Sequence, residues 1–117
     1  MSKNMNWIKL ENKDNLEDLK KLSETKNCLI FKHSTRCATS YLTLKRLERA
    51  WNDSEMLNVQ PYFLDLIANR ELSNRISEDF KINHESPQAL LIKNGGAFLD
   101  LSHFGIDYSS LKQALNN

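Results

Sequence analysis

Cysteine is scarce in this chain: Cys28 and Cys37 are the only two among 117 residues. So few cysteines exclude a disulfide framework, and no paired Cys/His spacing of a structural zinc site is present. Charge of one sign is lacking too. Sixteen Lys and Arg against fifteen Asp and Glu leave a net charge of +1, which gives no footing for nucleic acid or an anionic membrane as partner. No apolar run approaches the length needed to span a bilayer. Met1 to Lys9 is polar and carries no apolar export segment, so a cytoplasmic location is expected. His33, His84 and His103 show no ligand spacing with one another, and no metal site is expected. Repeats and low-complexity stretches are absent, so residues 1–117 are expected to form a single domain.

The order of elements is legible from apolar spacing and turn chemistry. Leu16, Leu19 and Leu22 recur at three-residue intervals and predict a short amphipathic helix over 14–22. Cys28 to Lys32 predicts a buried strand. A long helix from Cys37 to Trp51 follows, with Tyr41, Leu44, Leu47 and Trp51 as its inward line. Asn52-Asp53-Ser54 signals a loop. Val59 to Leu66 reads as a second strand, with Pro61 near its start, where a missing N–H is tolerable. Asn69 is placed to cap a helix whose core line is Leu72, Ile76 and Phe80. Ala89–Ile92 and Ala97–Leu101 flank Asn94-Gly95, a strong hairpin signal. Asp107 is placed to cap a last helix holding Leu111 and Leu115. The predicted fold is α/β: a four-stranded mixed sheet flanked by helices, with a parallel crossover unit and a closing antiparallel hairpin.

The chemistry concentrates where the first strand breaks, at Lys32-His33-Ser34-Thr35-Arg36-Cys37-Ala38-Thr39-Ser40. A cysteine opening a helix meets unpaired backbone N–H groups and the positive end of the helix dipole. Both favour the thiolate, the nucleophilic form, and Arg36 adds a full positive charge. Three residues on, where a two-cysteine redox motif carries its second sulfur, this chain has Ser40. Cys37 is therefore expected to exchange through one thiol, with the Ser40 hydroxyl available to donate to it. A histidine near Cys37 would also be able to move protons. Cys28 opens the strand that Cys37 follows. At ~3.3 Å per residue, the two lie too far apart for the ~5.5–6 Å Cα separation of a disulfide, so Cys28 is expected to pack as a small hydrophobe.

That element order, with a cysteine at the first crossover helix and a proline before the hairpin, resembles the thioredoxin superfamily. Two segments carry a closer likeness. Lys32 to Ser40 and His84-Glu85-Ser86-Pro87-Gln88 are similar to the paired motifs of the YtxJ-like monothiol bacilliredoxins. The resemblance implies a thioredoxin-like fold and an enzyme, a monothiol thiol-disulfide oxidoreductase that removes bacillithiol from protein mixed disulfides. Cys37 then matches the reactive cysteine and Ser40 the non-resolving position. Pro87 matches the superfamily's cis-proline, exposing the Ser86 backbone to a substrate strand or thiol. Arg36 is expected to meet the carboxylates of bacillithiol. The resemblance also implies no tightly bound cofactor, a low-molecular-weight thiol such as bacillithiol as co-substrate, thiolated client proteins as partners and a monomeric state. The chain departs from the family at Ala38-Thr39, where Pro-Ile is usual, and so loses a proline's fixed φ in the first helical turn.

Two other functions fit the same fold. One is an iron–sulfur carrier like the monothiol glutaredoxins, although their Cys-Gly-Phe-Ser motif is absent. The other is a redox-inactive, stress-related adaptor, because fold alone does not set function.

Overall fold

The computed structural model describes residues 5–116. The first four residues of the polar segment Met1 to Lys9 lie outside it. In chain order the elements are β1 (Ile8–Lys9), α1 (Lys13–Leu22), β2 (Asn27–His33), α2 (Ala38–Ala50), β3 (Val59–Asp65), α3 (Arg70–Phe80), β4 (Gln88–Lys93), β5 (Gly96–Ser102), a 3-10 turn (His103–Gly105) and α4 (Tyr108–Leu115).

The sheet has five strands rather than four, in the order β1-β3-β2-β4-β5. The added strand is two residues long and runs parallel to β3, Ile8 opposite Tyr62 and Lys9 opposite Phe63. Both of its residues are exposed. It exists through backbone pairing with β3, which an apolar pattern cannot signal. Pro61 sits one residue before that pairing begins, so the edge strand makes no demand on its missing N–H. The rest of the sheet is as expected: β2 runs parallel to β3 and antiparallel to β4, and β4 closes onto β5.

Alternation along β2 divides the core in two. Cys28 and Ile30 face α1 and α3, packed with Leu16, Leu19, Ile76 and Phe80. Leu29 and Phe31 face the other layer, with Leu47, Trp51, Ile106 and Leu111. The hairpin turn takes positive φ at Asn94 (51°) and Gly95 (76°), the backbone that an Asn-Gly pair adopts at little cost. Its N–H groups dock on the end of α1, Asn94 donating to the Ser23 carbonyl at 2.8 Å and Gly95 to Ser23 Oγ at 2.9 Å.

Caps and faces bring two further corrections. Asp107 caps α4 as expected, accepting from the Ser110 N–H at 2.8 Å. Asn69 holds the N-cap position of α3 but makes no side-chain cap bond. Its amide instead donates back to the Asp65 carbonyl. On α2 the buried line is Ser40, Thr43 and Leu47, while Tyr41 stands half exposed beneath the Lys45 ammonium. Hydropathy assigns Tyr41 inward, but the face that α2 turns to the core carries Ser40, Thr43 and Leu47, and Tyr41 falls outside it.

Candidate active site

β2 ends at His33, and the chain turns at once into α2. The Cys37 N–H donates to the Ser34 carbonyl at 3.2 Å, and the Cys37 carbonyl accepts from the Tyr41 N–H at 3.2 Å. Cys37 is therefore the N-cap residue, with extended backbone (φ −123°, ψ 117°). It is a free, partly exposed thiol, whereas Cys28 is free and buried. Burial pushes the Cys28 thiol up to about 11, so it stays protonated and inert near neutrality.

Ser40 is fully buried in the first turn of α2. Its hydroxyl accepts from the Ser34 N–H at 3.0 Å and lies 2.7 Å from His33 Nδ1. Ser34 in turn accepts from the Arg36 N–H at 3.3 Å. The turn that presents Cys37 is thus braced by Ser34 and Ser40. The Arg36 side chain itself is exposed. The His33 ring lies against Phe63, centroids 5.5 Å apart, and close to Phe31. Burial holds its titration below the ordinary histidine value, opposed by the Asp65 and Glu48 carboxylates.

Ser86 and Pro87 come to the same end of the sheet. The antiparallel register sets Lys32 opposite Gln88, so the residues before β4 flank those after β2. The Ser86–Pro87 bond is cis. Pro87 is buried, and its carbonyl accepts from the His103 N–H at 3.0 Å. The loop before it is held by Gln88, whose amide donates to the Asn83 carbonyl at 2.9 Å and to Asp100 Oδ1 at 2.9 Å. Gln88 Oε1 accepts from the Glu85 N–H. Ser86 Oγ is buried without a hydrogen-bond partner among the described residues.

Lys32 is the site neighbour that sequence reasoning missed, having read it only as the end of an apolar strand. It is fully buried. Its ammonium donates to the Ser73 carbonyl and to Ser77 Oγ, both at 3.2 Å, and lies 3.4 Å from His84 Nδ1. It thereby ties α3 to the loop that carries Ser86 and Pro87. Burial pulls it down to about 8, against the attraction of Asp100. His84 is held below the ordinary histidine value by burial and by the Lys32 and Arg70 charges. His103 pairs with Glu85 at 3.0 Å. No cluster of metal-ligating side chains forms among the described residues.

The structure thus brings together a one-cysteine helix N-cap, a serine three residues on and a cis-proline at the adjoining strand end. Solved structures share the fold. One described as an oxidoreductase with a thioredoxin fold matches at a TM-score of 0.80 with 31% identity, covering 94% of each chain. A Malassezia sympodialis thioredoxin matches at 0.72 with 17% identity, over 99% of this chain and 92% of that one. A Fasciola hepatica thioredoxin matches at 0.71 with 18% identity, over 92% of this chain and 95% of that one. The last two establish the fold alone. Over residues 8–111 the sequence matches the profile of the family described as monothiol bacilliredoxin BrxC. The chain has the thioredoxin fold and belongs to the monothiol bacilliredoxin BrxC family.

Proposed function

We propose that this protein is a monothiol thiol-disulfide oxidoreductase that removes bacillithiol from protein mixed disulfides. The observation that carries the reading is the contrast at Cys37: a partly exposed thiol at a helix N-cap, in a chain whose other cysteine is sealed in the core. The Cys37 thiolate attacks the bacillithiol sulfur of a modified client. The client thiolate leaves and takes up a proton, and Cys37 holds bacillithiol as a mixed disulfide. A second thiol then attacks that disulfide and regenerates Cys37. Ser40 cannot close an internal disulfide, so the cycle depends on this outside reductant. In this reading the client or small thiol pairs with the backbone at Ser86 and Pro87, and the exposed Arg36 guanidinium meets carboxylates of the small thiol. The cytoplasm, where low-molecular-weight thiols are kept reduced, suits the cycle.

The test is release of bacillithiol from a modified client, followed by gel shift and intact mass. Wild type is expected to accumulate a Cys37 adduct, and Cys37→Ser to release nothing. Ser40→Cys is expected to form an internal disulfide and to shift the protein toward direct disulfide reduction. Release by Cys37→Ser at the wild-type rate would leave the adaptor role in place of the enzyme. A brown, cluster-absorbing protein as purified would favour the iron–sulfur carrier.

A further inference from the structure

We propose that the groove between α2 and the 3-10 turn is a docking surface for an acidic segment of the client protein. The proposal deepens the proposed function, because it takes Cys37 as the point where the client sulfur arrives. Leu42, Thr43, Lys45, Arg46 and Arg49 line one side of the groove and Phe104 the other, around about 250 Å3. Three of these side chains are cations and none is a carboxylate. Glu48 is the one acidic residue of α2. It is engaged elsewhere, by the Trp7 indole N–H at 3.1 Å and by Lys45 at 3.7 Å. Lys45 also lies over the Tyr41 ring, which leaves Arg46 and Arg49 as the charges that face an incoming chain.

The apolar rims are set on a fixed frame. Leu42 is 65% exposed and Phe104 66%, two large apolar side chains left in water on opposite sides of one groove. His103 takes φ 53°, a left-handed backbone that a residue with a side chain adopts at a cost. Its N–H donates to the Pro87 carbonyl at 3.0 Å. The carbonyls of Phe104 and Ile106 both accept from Arg46 Nη2. The turn is thus tied to Pro87 at one end and to α2 along its length, and it holds Phe104 outward. Both bonds from Arg46 use one nitrogen. Among the described contacts its Nε and Nη1 hydrogens remain to meet a carboxylate.

Size and reach select the occupant. The groove is smaller than the ~300–1,000 Å3 of a small-molecule pocket, so it suits the side chains of a passing peptide. Ala38 begins α2 and is followed by Leu42, Arg46 and Arg49, whose spacings of four and three place them on one stripe of the helix. At 1.5 Å per residue they stand about 6, 12 and 16 Å along the axis from Ala38. An extended peptide spans those lengths in about two, four and five residues at ~3.3 Å each. A client with an apolar residue two positions from its modified cysteine and carboxylates four and five positions away matches the groove in order: apolar rims first, cations beyond.

The test is NMR amide-shift mapping of the full chain with synthetic peptides. Each peptide has serine in place of the client cysteine, leucine two positions away, and either two glutamates or two lysines four and five positions away. Both chain directions are made. In one direction the glutamate peptide is expected to shift the amides of Leu42, Arg49 and Phe104 and to bind roughly fivefold tighter than the lysine peptide, the scale of two exposed ion pairs. Raised salt should remove the preference. Arg49→Glu should reverse it, and Phe104→Ala should weaken both peptides alike. Equal binding of the two peptides, or shifts confined to another face, overturns the proposal. Free malate giving the same shifts at the same concentration reduces the groove to an anion site and overturns it too. Shifts that grow with protein concentration alone assign the groove to a second copy of this chain, with the same result. The titration involves no thiol chemistry. Its failure leaves the proposed cycle standing, and a protein that prefers the glutamate peptide but leaves bacillithiol on its clients defeats the cycle alone.

Discussion

Cys28 and Cys37 occupy opposite ends of one strand-and-turn segment and meet opposite surroundings. Cys28 lies between Leu19 and the strands, with the Leu19 and Lys26 carbonyls, at 3.8 and 3.7 Å, as weak partners for its sulfur. Cys37 begins a helix, where backbone N–H groups lack partners. The sulfur atom is the same in each; the backbone around it seals one in the core and leaves the other partly exposed, the nucleophile of the proposed cycle. The difference is that of position along one segment: burial inside the sheet for Cys28, the open start of a helix for Cys37.

The largest expected effect is on reactivity. A thiol held at about 11 has a thiolate fraction of roughly one in a thousand at pH 8, and burial slows attack further. Native protein is expected to take one alkyl group, at Cys37, with Cys28 labelled at least a thousandfold more slowly until the chain unfolds. Comparable rates at the two sites in the native state would break the comparison.

Lys32 and His33 extend the contrast to the two faces of one strand. Burial lowers the Lys32 value from 10.5 to about 8, so the unfolded chain binds this proton more tightly than the folded one. Its penalty on folding is complete below pH 8 and fades as pH rises to 10.5, a span of up to about 3 kcal/mol. Lys32→Met fills the same space without a charge. Its denaturation midpoint is expected to lie above that of wild type at pH 7, with the gap closing toward pH 10.5. Cys28 and Tyr62, both pushed up by burial, move stability the other way in this range, but equally in both proteins. A gap that does not change with pH would show that no charge is buried at this position.

The elements legible in the sequence were those that announce themselves locally. Leu72, Ile76 and Phe80 mark a helix face, Asn94-Gly95 a turn and Asp107 a cap, and the structure has all three. Cys37 at a helix start was legible for the same reason, since strand break and helix onset are neighbours in sequence. What escaped depends on partners distant in the chain or on packing. Strand β1 is defined by β3. Lys32 is buried because Ser73, Ser77 and His84 supply its oxygen and nitrogen partners. Ser40 and Thr43 point inward and Tyr41 outward, contrary to their hydropathy. The pairing of His33 with Ser40 spans two turns of chain with no pattern to reveal it.

The smallest effect expected is far from the site, at the end of the chain. Asp107 accepts from the Ser110 N–H and from the Ser110 hydroxyl. Asp107→Ala is expected to cost about 1 kcal/mol in denaturant unfolding, the usual worth of such a cap. Cys37 alkylation should be unchanged, which separates the stability of this layer from the chemistry at the opposite end of α2.

The Gln88 side chain has a consequence for how the molecule opens. Its amide joins the Asn83 carbonyl to Asp100 on β5, and its carbonyl holds the Glu85 N–H. Gln88 is itself fully buried and paired with Lys32 and Ser102 in the sheet. The segment before Pro87 is irregular backbone, yet it cannot lift away while β4 remains zipped to β2 and β5. The Glu85 amide hydrogen, held by Gln88, should therefore trade with solvent more slowly than an exposed loop amide and in step with the opening of β4. In the proposed cycle, an incoming disulfide would meet an edge already set in shape, with little ordering left to accomplish on arrival.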